Sequence, residues 1–326
     1  MANLRELRSR IKSVNSTKKI TKARELIATS RIPKAQARVA EARPYSDQVT
    51  AILQDLASAS SLDHKMLNEH PDPKRAAILV VTSDSGMCGG YNQKVLQETA
   101  ELRALLEQEG KEVDLYVMGR KGIGYYQFRE IELAGSWSGF SEQPEYEKVR
   151  GAFSLLAAIF QAGAGEEVDG SEFLGDGAGT YAGVDEVHIV YTRFVSMLTQ
   201  TAQARRLAPI RTVVDEERLH LGDGIMEDDP DTEIKPELNF EPDATTLLNA
   251  ILPRYLASRA FAALLEAAAS ESAARRTAMK SATDNATELV DGLSREANQA
   301  RQAQITQEIS EIVGGAGALS ASAGSD

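Results

Sequence analysis

The residues best placed to do chemistry lie in Ser83-Asp-Ser-Gly-Met-Cys-Gly-Gly-Tyr-Asn92, directly after the apolar run Ala76-Ala-Ile-Leu-Val-Val-Thr82. A Gly-rich turn between a buried strand and a helix is where α/β proteins hold phosphates, because backbone N–H groups and the helix N-terminus face the anion. The spacing here is Gly86-x-x-Gly89-Gly90 rather than GxGxxG, and no Lys-Ser/Thr pair follows to complete a P-loop. The plainer reading is a tight turn in which glycine lets the backbone pack closely. Gly119-Arg-Lys-Gly122 could hold a phosphate, but it also fits a strand-end turn with exposed bases. His64, His70, His188 and His220 are scattered, and none has a second ligand at metal-site spacing. Gly135-Ser-Trp-Ser-Gly139 has the outline of a nucleophile elbow with serine one step off position. Cys88 lacks an evident base and reads as a small packed residue. These residues support no catalytic centre and no cofactor or metal site within the chain.

Charge offers a different kind of chemistry. The net charge is −12, yet residues 1–44 hold twelve Lys and Arg against only Glu6, Glu25 and Glu41. A basic helix on an acidic protein suits an acidic partner, although a solvated helix face would look the same. Nucleic acid is the first candidate. Against it, no aromatic residue occurs between Met1 and Arg43, so nothing there could stack on bases. The lone Cys88 excludes an internal disulfide and fits a reducing compartment. No apolar run is long enough for a membrane span, and the charged opening residues carry no signal-peptide pattern.

The elements that must position these residues follow in order. Strands are predicted at 76–82, 113–118 and 185–195, with helices at 93–109 and 145–161. Strand, helix, strand, helix, strand spells a small Rossmann-like α/β domain with a parallel sheet, spanning 74–215. Within it, residues 164–183 are dominated by glycine and carry Glu166, Glu167, Asp169, Glu172 and Asp176. They read as a flexible surface loop. Residues 216–242 read as an acidic connection.

Both ends of the chain read as long helices. The stretch 243–313 predicts one helix of roughly 70 residues, on the order of 100 Å at the usual rise. Helices in globular domains average about 10 to 14 residues. Its apolar positions Met279, Ala282, Ala286, Leu289, Leu293, Ala297, Ala300, Ile305, Ile309 and Ile312 step mostly by three and four, as in a coiled-coil seam. Such a stripe needs a partner. The partner is the segment 1–57, where Leu4, Leu7, Ile11 and Val14 carry the same steps. There the pattern slips and resumes at Ile20, Ala23, Ile27 and Ser30. Bends are expected at Pro33 and Pro44, and a kink at Pro253. Gly314-Gly-Ala-Gly317 is expected to end the second helix, leaving 314–326 as a flexible tail. The fold class is therefore α/β plus a long antiparallel coiled coil of the two termini, with the sheet domain inserted between them.

The two ends also carry a resemblance. Arg10-Ile-Lys-Ser-Val-Asn-Ser-Thr-Lys-Lys-Ile-Thr-Lys-Ala23 and Glu25-Leu-Ile-Ala-Thr-Ser-Arg31 resemble the opening helix of the gamma subunit of F-type ATP synthases. Ser270-Glu-Ser-Ala-Ala-Arg-Arg-Thr-Ala-Met-Lys-Ser-Ala-Thr-Asp-Asn-Ala286 and Ala300-Arg-Gln-Ala-Gln-Ile-Thr-Gln-Glu-Ile-Ser-Glu-Ile-Val-Gly-Gly-Ala316 are similar to its last helix. The loop Thr82 to Asn92 resembles its first strand-to-helix turn. Arg24 departs from the many members that carry methionine there, Pro33 is unexpected in a load-carrying helix, and the Gly-rich acidic segment resembles an insertion of actinobacterial members.

The resemblance implies a rotor shaft with no catalytic site of its own. It would stand in a hexamer of alpha and beta subunits and sit on the epsilon subunit and the membrane c-ring. It would couple proton-driven rotation to ATP synthesis at beta-subunit sites. Mg-ATP and ADP would bind to alpha and beta, not to this chain. The chain would reach the cytoplasmic face of a bacterial cell membrane only through the complex. Lys18, Lys19, Lys22, Arg24, Arg31, Arg301 and Gln302 are the implied contacts to the surrounding subunits, and the acidic loop the implied regulatory element. Two other readings remain beside it: a nucleotide-binding α/β enzyme with a coiled-coil oligomerisation arm, and a nucleic-acid-binding coiled coil.

Overall fold

The computed structural model describes residues 4–59, 70–210 and 244–322. The expected connection 216–242 and part of the one after the first helix lie outside them. The chain divides into two compact units, Met1–Ser30 with Arg275–Asp326, and Arg31–Ala274. Helix α1 (Leu4–Ala59) and helix α6 (Ala244–Ser322) contribute to both. Pro33, Pro44 and Pro253 lie inside these helices, and each helix continues past its prolines.

The unit Arg31–Ala274 is built on a five-stranded sheet ordered β3-β2-β1-β6-β7. Its strands are β1 (Arg75–Val81), β2 (Glu112–Met118), β3 (Gly135–Trp137), β6 (Glu186–Phe194) and β7 (Gln200–Ala208). The first four are parallel, and β7 pairs antiparallel with β6. The sheet is thus mixed rather than wholly parallel. The connection between β6 and β7 is a hairpin, which needs no crossover helix. Along β1 successive side chains enter opposite layers. Ala77, Leu79 and Val81 join the core shared with helix α4 (Tyr146–Ala162) and α6. Ala76, Ile78 and Val80 join the layer under helices α2 (Tyr91–Gln108) and α3 (Arg120–Phe128). Burial on both faces is why β1 reads as a continuous apolar run.

The predicted strands and the helices at 93–109 and 145–161 are all present, with ends shifted by a few residues. Gly119-Arg-Lys-Gly122 is a strand-end turn with Arg120 and Lys121 exposed, and it leads straight into α3. Three elements differ. The supposed elbow Gly135-Ser-Trp is strand β3, paired to β2. Strand β7 has no hydrophobic signal in the sequence, because its run Gln200-Thr-Ala-Gln-Ala-Arg-Arg is polar, as suits an edge. Helix α6 passes through Gly314-Gly-Ala-Gly317 to Ser322, so the tail from 314 is helical to that point. Alanines at 316, 318 and 321 favour helix, and isolated glycines weaken one without ending it. Among the described residues, no helix is long and apolar enough to cross a membrane.

Candidate functional site

The unit Met1–Ser30 with Arg275–Asp326 is a pair of helical segments held by matching seams. On α1 the covered positions include Leu7, Ile11, Val14, Lys18, Thr21, Glu25 and Ala28, stepping by four and three without a break. On α6 they include Met279, Thr283, Ala286, Val290, Leu293, Ala297 and Ala300, in the same rhythm. A strict seven-residue repeat keeps one stripe facing a partner helix. The hydroxyls of Thr21 and Thr283 share a hydrogen bond of 2.7 Å inside the seam. Leu4 opens α1 seventeen residues before Thr21, and burial on α6 stops at Ala300, seventeen residues after Thr283. Cover ends where the partner begins, so the segments run antiparallel.

The seam therefore does not slip near Asn15. It continues through polar residues, Lys18, Thr21 and Glu25, which a search for apolar spacing passes over. The positions expected to resume it face outward: Ile20 is 56% exposed and Ile27 52%, and Ala23 and Ser30 are exposed. Leu289, also expected in the seam, is 47% exposed. Beyond Ala300 every side chain through Val313 is exposed, including Ile305, Ile309 and Ile312. The surface of this unit thus carries bare aliphatic residues on both helices, with Leu26 added on α1.

The implied contact residues fall into different settings. Lys19, Arg24, Arg301 and Gln302 are exposed. Lys22 is exposed but ion-paired to Glu25 at 3.1 Å. Lys18 is half-buried in the seam. Arg31 belongs to the other unit, where it pairs with Glu142. There it lines a small cleft with Lys34, Arg38, Pro144, Leu265 and Ala268.

The Gly-rich acidic segment is a defined hairpin rather than the flexible loop expected. Strand β4 (Glu167–Asp169) pairs antiparallel with β5 (Thr180–Ala182), and the short helix α5 (Ser171–Leu174) lies between them. The hairpin is anchored by apolar contacts: Val168, Phe173, Leu174 and Tyr181 pack on the core, and Tyr181 stacks on Tyr116 at 6.4 Å. Two of its glycines mark close approach, since a Cβ on Gly183 would lie 2.1 Å from the Gly163 carbonyl and one on Gly170 2.4 Å from the Tyr181 ring. Glu166, Glu167, Asp169, Glu172 and Asp176 are all exposed, and none forms an ion pair among the described residues.

The strand-end loop after β1 is tied down by its own side chains. Asn92 accepts from the Ser83 N–H at 2.9 Å and donates to the Ser83 hydroxyl at 2.8 Å. Cys88 is buried against Asn92 and Ser83. Among the described residues, no group of three His, Cys, Asp or Glu could hold a metal ion. His188 instead bonds Glu186, and Lys111 bonds the same carboxylate, each at 2.9 Å.

Comparison with known proteins bears on the whole chain. A family model described as ATP synthase matches residues 3–319. The ATP synthase gamma chain of Corynebacterium urealyticum is 62% identical over the full length of both chains. That of Nocardia farcinica is 59% identical, again over the full length of both. The chain belongs to the ATP synthase gamma family. Among solved structures, a chain from the Euglena gracilis mitochondrial ATP synthase with F1 and c-ring is similar at a TM-score of 0.60. The two share 17% identity, and the match covers 97% of this chain and 94% of that one. A chain of the central stalk and c-ring structure from Tetrahymena thermophila matches at 0.54 and 20% identity, covering 81% of this chain and 99% of that one. At such identities the likeness shows a shared fold, the gamma fold of terminal helices and a parallel-sheet domain.

Within that fold, most residues of the family motifs at both termini lie in the helix pair. What reading by motif missed is the outward aliphatic set, Ile20, Leu26 and Ile27. The signal was present in the sequence: once the seam is traced through Lys18, Thr21 and Glu25, those residues have nowhere inward to point.

Proposed function

We propose that this chain is the central rotor shaft of an F-type ATP synthase, turning with a membrane c-ring and driving ATP synthesis at the beta-subunit sites of a surrounding alpha/beta hexamer. The observation that carries this reading is the helix pair whose interior is closed and whose exterior is aliphatic. Isolated proteins seldom leave so many large aliphatic side chains in water without a partner. A sleeve of surrounding subunits would cover Ile20, Leu26 and Ile27 on α1 and Ile305, Ile309 and Ile312 on α6. Lys19, Arg24, Arg301 and Gln302 would add polar contacts to the same sleeve.

The physical role follows from the asymmetry of that surface. A shaft shifts a site's equilibrium only through contacts that differ between the states of the site. Two unlike helices present a different face in each direction, so three equivalent sites around them are held in three different states. Rotation hands each face on to the next site. Nucleotide and magnesium act on the alpha and beta subunits, while this chain supplies position. The epsilon subunit would join it at the c-ring end, and the complex would hold it on the cytoplasmic face of the membrane. The exposed acidic hairpin residues Glu166, Glu167, Asp169, Glu172 and Asp176 would tune rotation by meeting basic groups of that neighbourhood.

Reconstitution tests the reading. The full chain is mixed with alpha and beta subunits and ATP hydrolysis is measured, with a bead on the sheet domain reporting rotation. Stepwise rotation that stops when the chain carries Ile20→Asp and Ile27→Asp is the expected result. Hydrolysis and rotation indifferent to those changes would sink the proposal. Deleting residues 166–179 tests the hairpin separately, and its tuning role fails if synthesis and hydrolysis are both unchanged.

A further inference from the structure

The carboxyl ends of the parallel strands β1, β2 and β3 meet on one edge of the sheet, where open α/β sheets take their ligands. Three backbone N–H groups from two loops converge there. Arg120 N is the first residue of α3, and Gly139 N and Ser141 N follow β3. They point at one group, the carboxylate of Asp84. Oδ1 accepts from Arg120 at 3.1 Å, and Oδ2 accepts from Gly139 and Ser141 at 2.9 Å each. The Ser141 hydroxyl accepts in return from the Asp84 N–H at 2.8 Å, and the Arg120 side chain stands 3.7 Å from Oδ1. Asp84 is only 9% exposed.

The space beside this cradle is closed as well. The Gly122 N–H, in the first turn of α3, donates to the Thr82 hydroxyl at 2.9 Å. A Cβ on Gly119 would lie 2.2 Å from the Thr82 carbonyl oxygen, and one on Gly122 2.7 Å from the Thr82 hydroxyl. The start of α3 therefore packs directly on Thr82.

We infer that this sheet edge is an oxyanion site whose resident is Asp84 of the chain itself, and that a small tetrahedral oxyanion such as phosphate takes the site once that carboxylate is removed. The arrangement supplies what phosphate sites supply: convergent N–H donors, a helix N-terminus and an adjacent guanidinium. Asp84 meets all of these demands internally and ties the loops after β1, β2 and β3 to one another. The domain keeps the architecture of a nucleotide-binding sheet with its anion position occupied from within.

Thermal unfolding of the full chain tests this in sodium phosphate and in sodium chloride of matched ionic strength and pH. The natural chain is expected to show the same midpoint in both salts. Asp84→Gly vacates the cradle, so its midpoint falls in chloride and is raised by phosphate in a saturable way, by several degrees at millimolar concentration. Asp84→Asn refills the space with an amide and shows no phosphate-specific rise. Asp84→Ser is run in parallel, and folding of either Gly or Ser variant in phosphate but not chloride counts in favour. An equal phosphate effect on the natural chain and the variants, or no phosphate-specific effect in either Gly or Ser variant, overturns the inference.

Discussion

Thr21 and Thr283 meet at 2.7 Å, hydroxyl to hydroxyl, in the middle of an otherwise largely aliphatic seam. Each also reaches its own backbone, Thr21 to the Lys18 carbonyl at 3.0 Å and Thr283 to the Met279 carbonyl at 2.8 Å. Two hydroxyls have two protons for three bonds, so one proton at a time serves the cross-helix contact and the other a carbonyl. A polar pair inside a seam favours one register, because sliding the helices separates the two hydroxyls and breaks their mutual hydrogen bond. Thr21→Val and Thr283→Val combined in a double-mutant cycle should show a coupling of about 0.5–1.5 kcal/mol in chemical denaturation. Strict additivity would remove the pair from any role in register.

Buried and outward aliphatic residues of the same helices should separate stability from function. Leu293 is 5% exposed, and Leu293→Ala should destabilise the chain by about 2–5 kcal/mol. Ile27→Ser should change stability by less than about 0.5 kcal/mol. In the assembled complex the order reverses for specific effect, with Ile27→Ser lowering ATP-driven rotation although the chain is fully folded. Denaturation curves and a hydrolysis assay on reconstituted subunits read the two effects independently.

Glu186 links stability to acid. Burial works against its charge, but hydrogen bonds from His188 and Lys111 outweigh that and take its pKa down to about 2. A carboxylate lowered on folding stabilises the native state above its unfolded pKa, and that contribution fades as the pH falls towards the folded value. Glu186→Gln should therefore lower the melting temperature at pH 7, with the gap to the natural chain narrowing steadily from pH 4.5 towards pH 2. A gap independent of pH would contradict this.

Glu266 has the opposite sign. Burial raises its pKa despite Arg205 and Arg193 nearby and a hydrogen bond with Tyr191, and Oε2 has no hydrogen-bond partner among the described residues. A carboxyl raised on folding favours the native state when protonated, and that advantage is lost as the pH climbs through the folded value. Glu266→Gln keeps the shape and removes the charge. It should raise the melting temperature at pH 8 relative to the natural chain, with a smaller gain at pH 5.

The hairpin glycines should be intolerant of a methyl group. Gly183→Ala would press its Cβ against the Gly163 carbonyl, and a loss of about 1–3 kcal/mol is expected from the enforced shift. Glu167→Ala, on the exposed face of the same hairpin, should leave the melting curve in place.

The sequence displayed some of this plainly and hid the rest for identifiable reasons. The runs Ala76 to Val81 and Val187 to Tyr191 are buried on both faces, so hydrophobicity alone reveals them. Strand β7 is polar, and its pairing depends on β6, which no local pattern contains. The seam of α1 is hidden after Val14 because apolarity and burial part company there: Lys18, Thr21 and Glu25 occupy seam positions while Ile20 and Ile27 do not. Glycines at 170 and 183 looked like freedom but mark crowding, a distinction that depends on residues distant in the chain. The Asp84 cradle was signalled only as a turn, since its donors come from loops some forty and sixty residues further on.

Helix α6 outlasts its companion. From Arg301 to Val313 every side chain is exposed, about 20 Å of helix at the usual rise per residue. A lone helix twists and bends far more readily than two wound together, so in a turning assembly the doubled stretch bears the wrench and the single tip acts as a guide pin. On the proposed rotor reading its part is to keep the spindle centred, and trimming it should cost wobble before it costs drive.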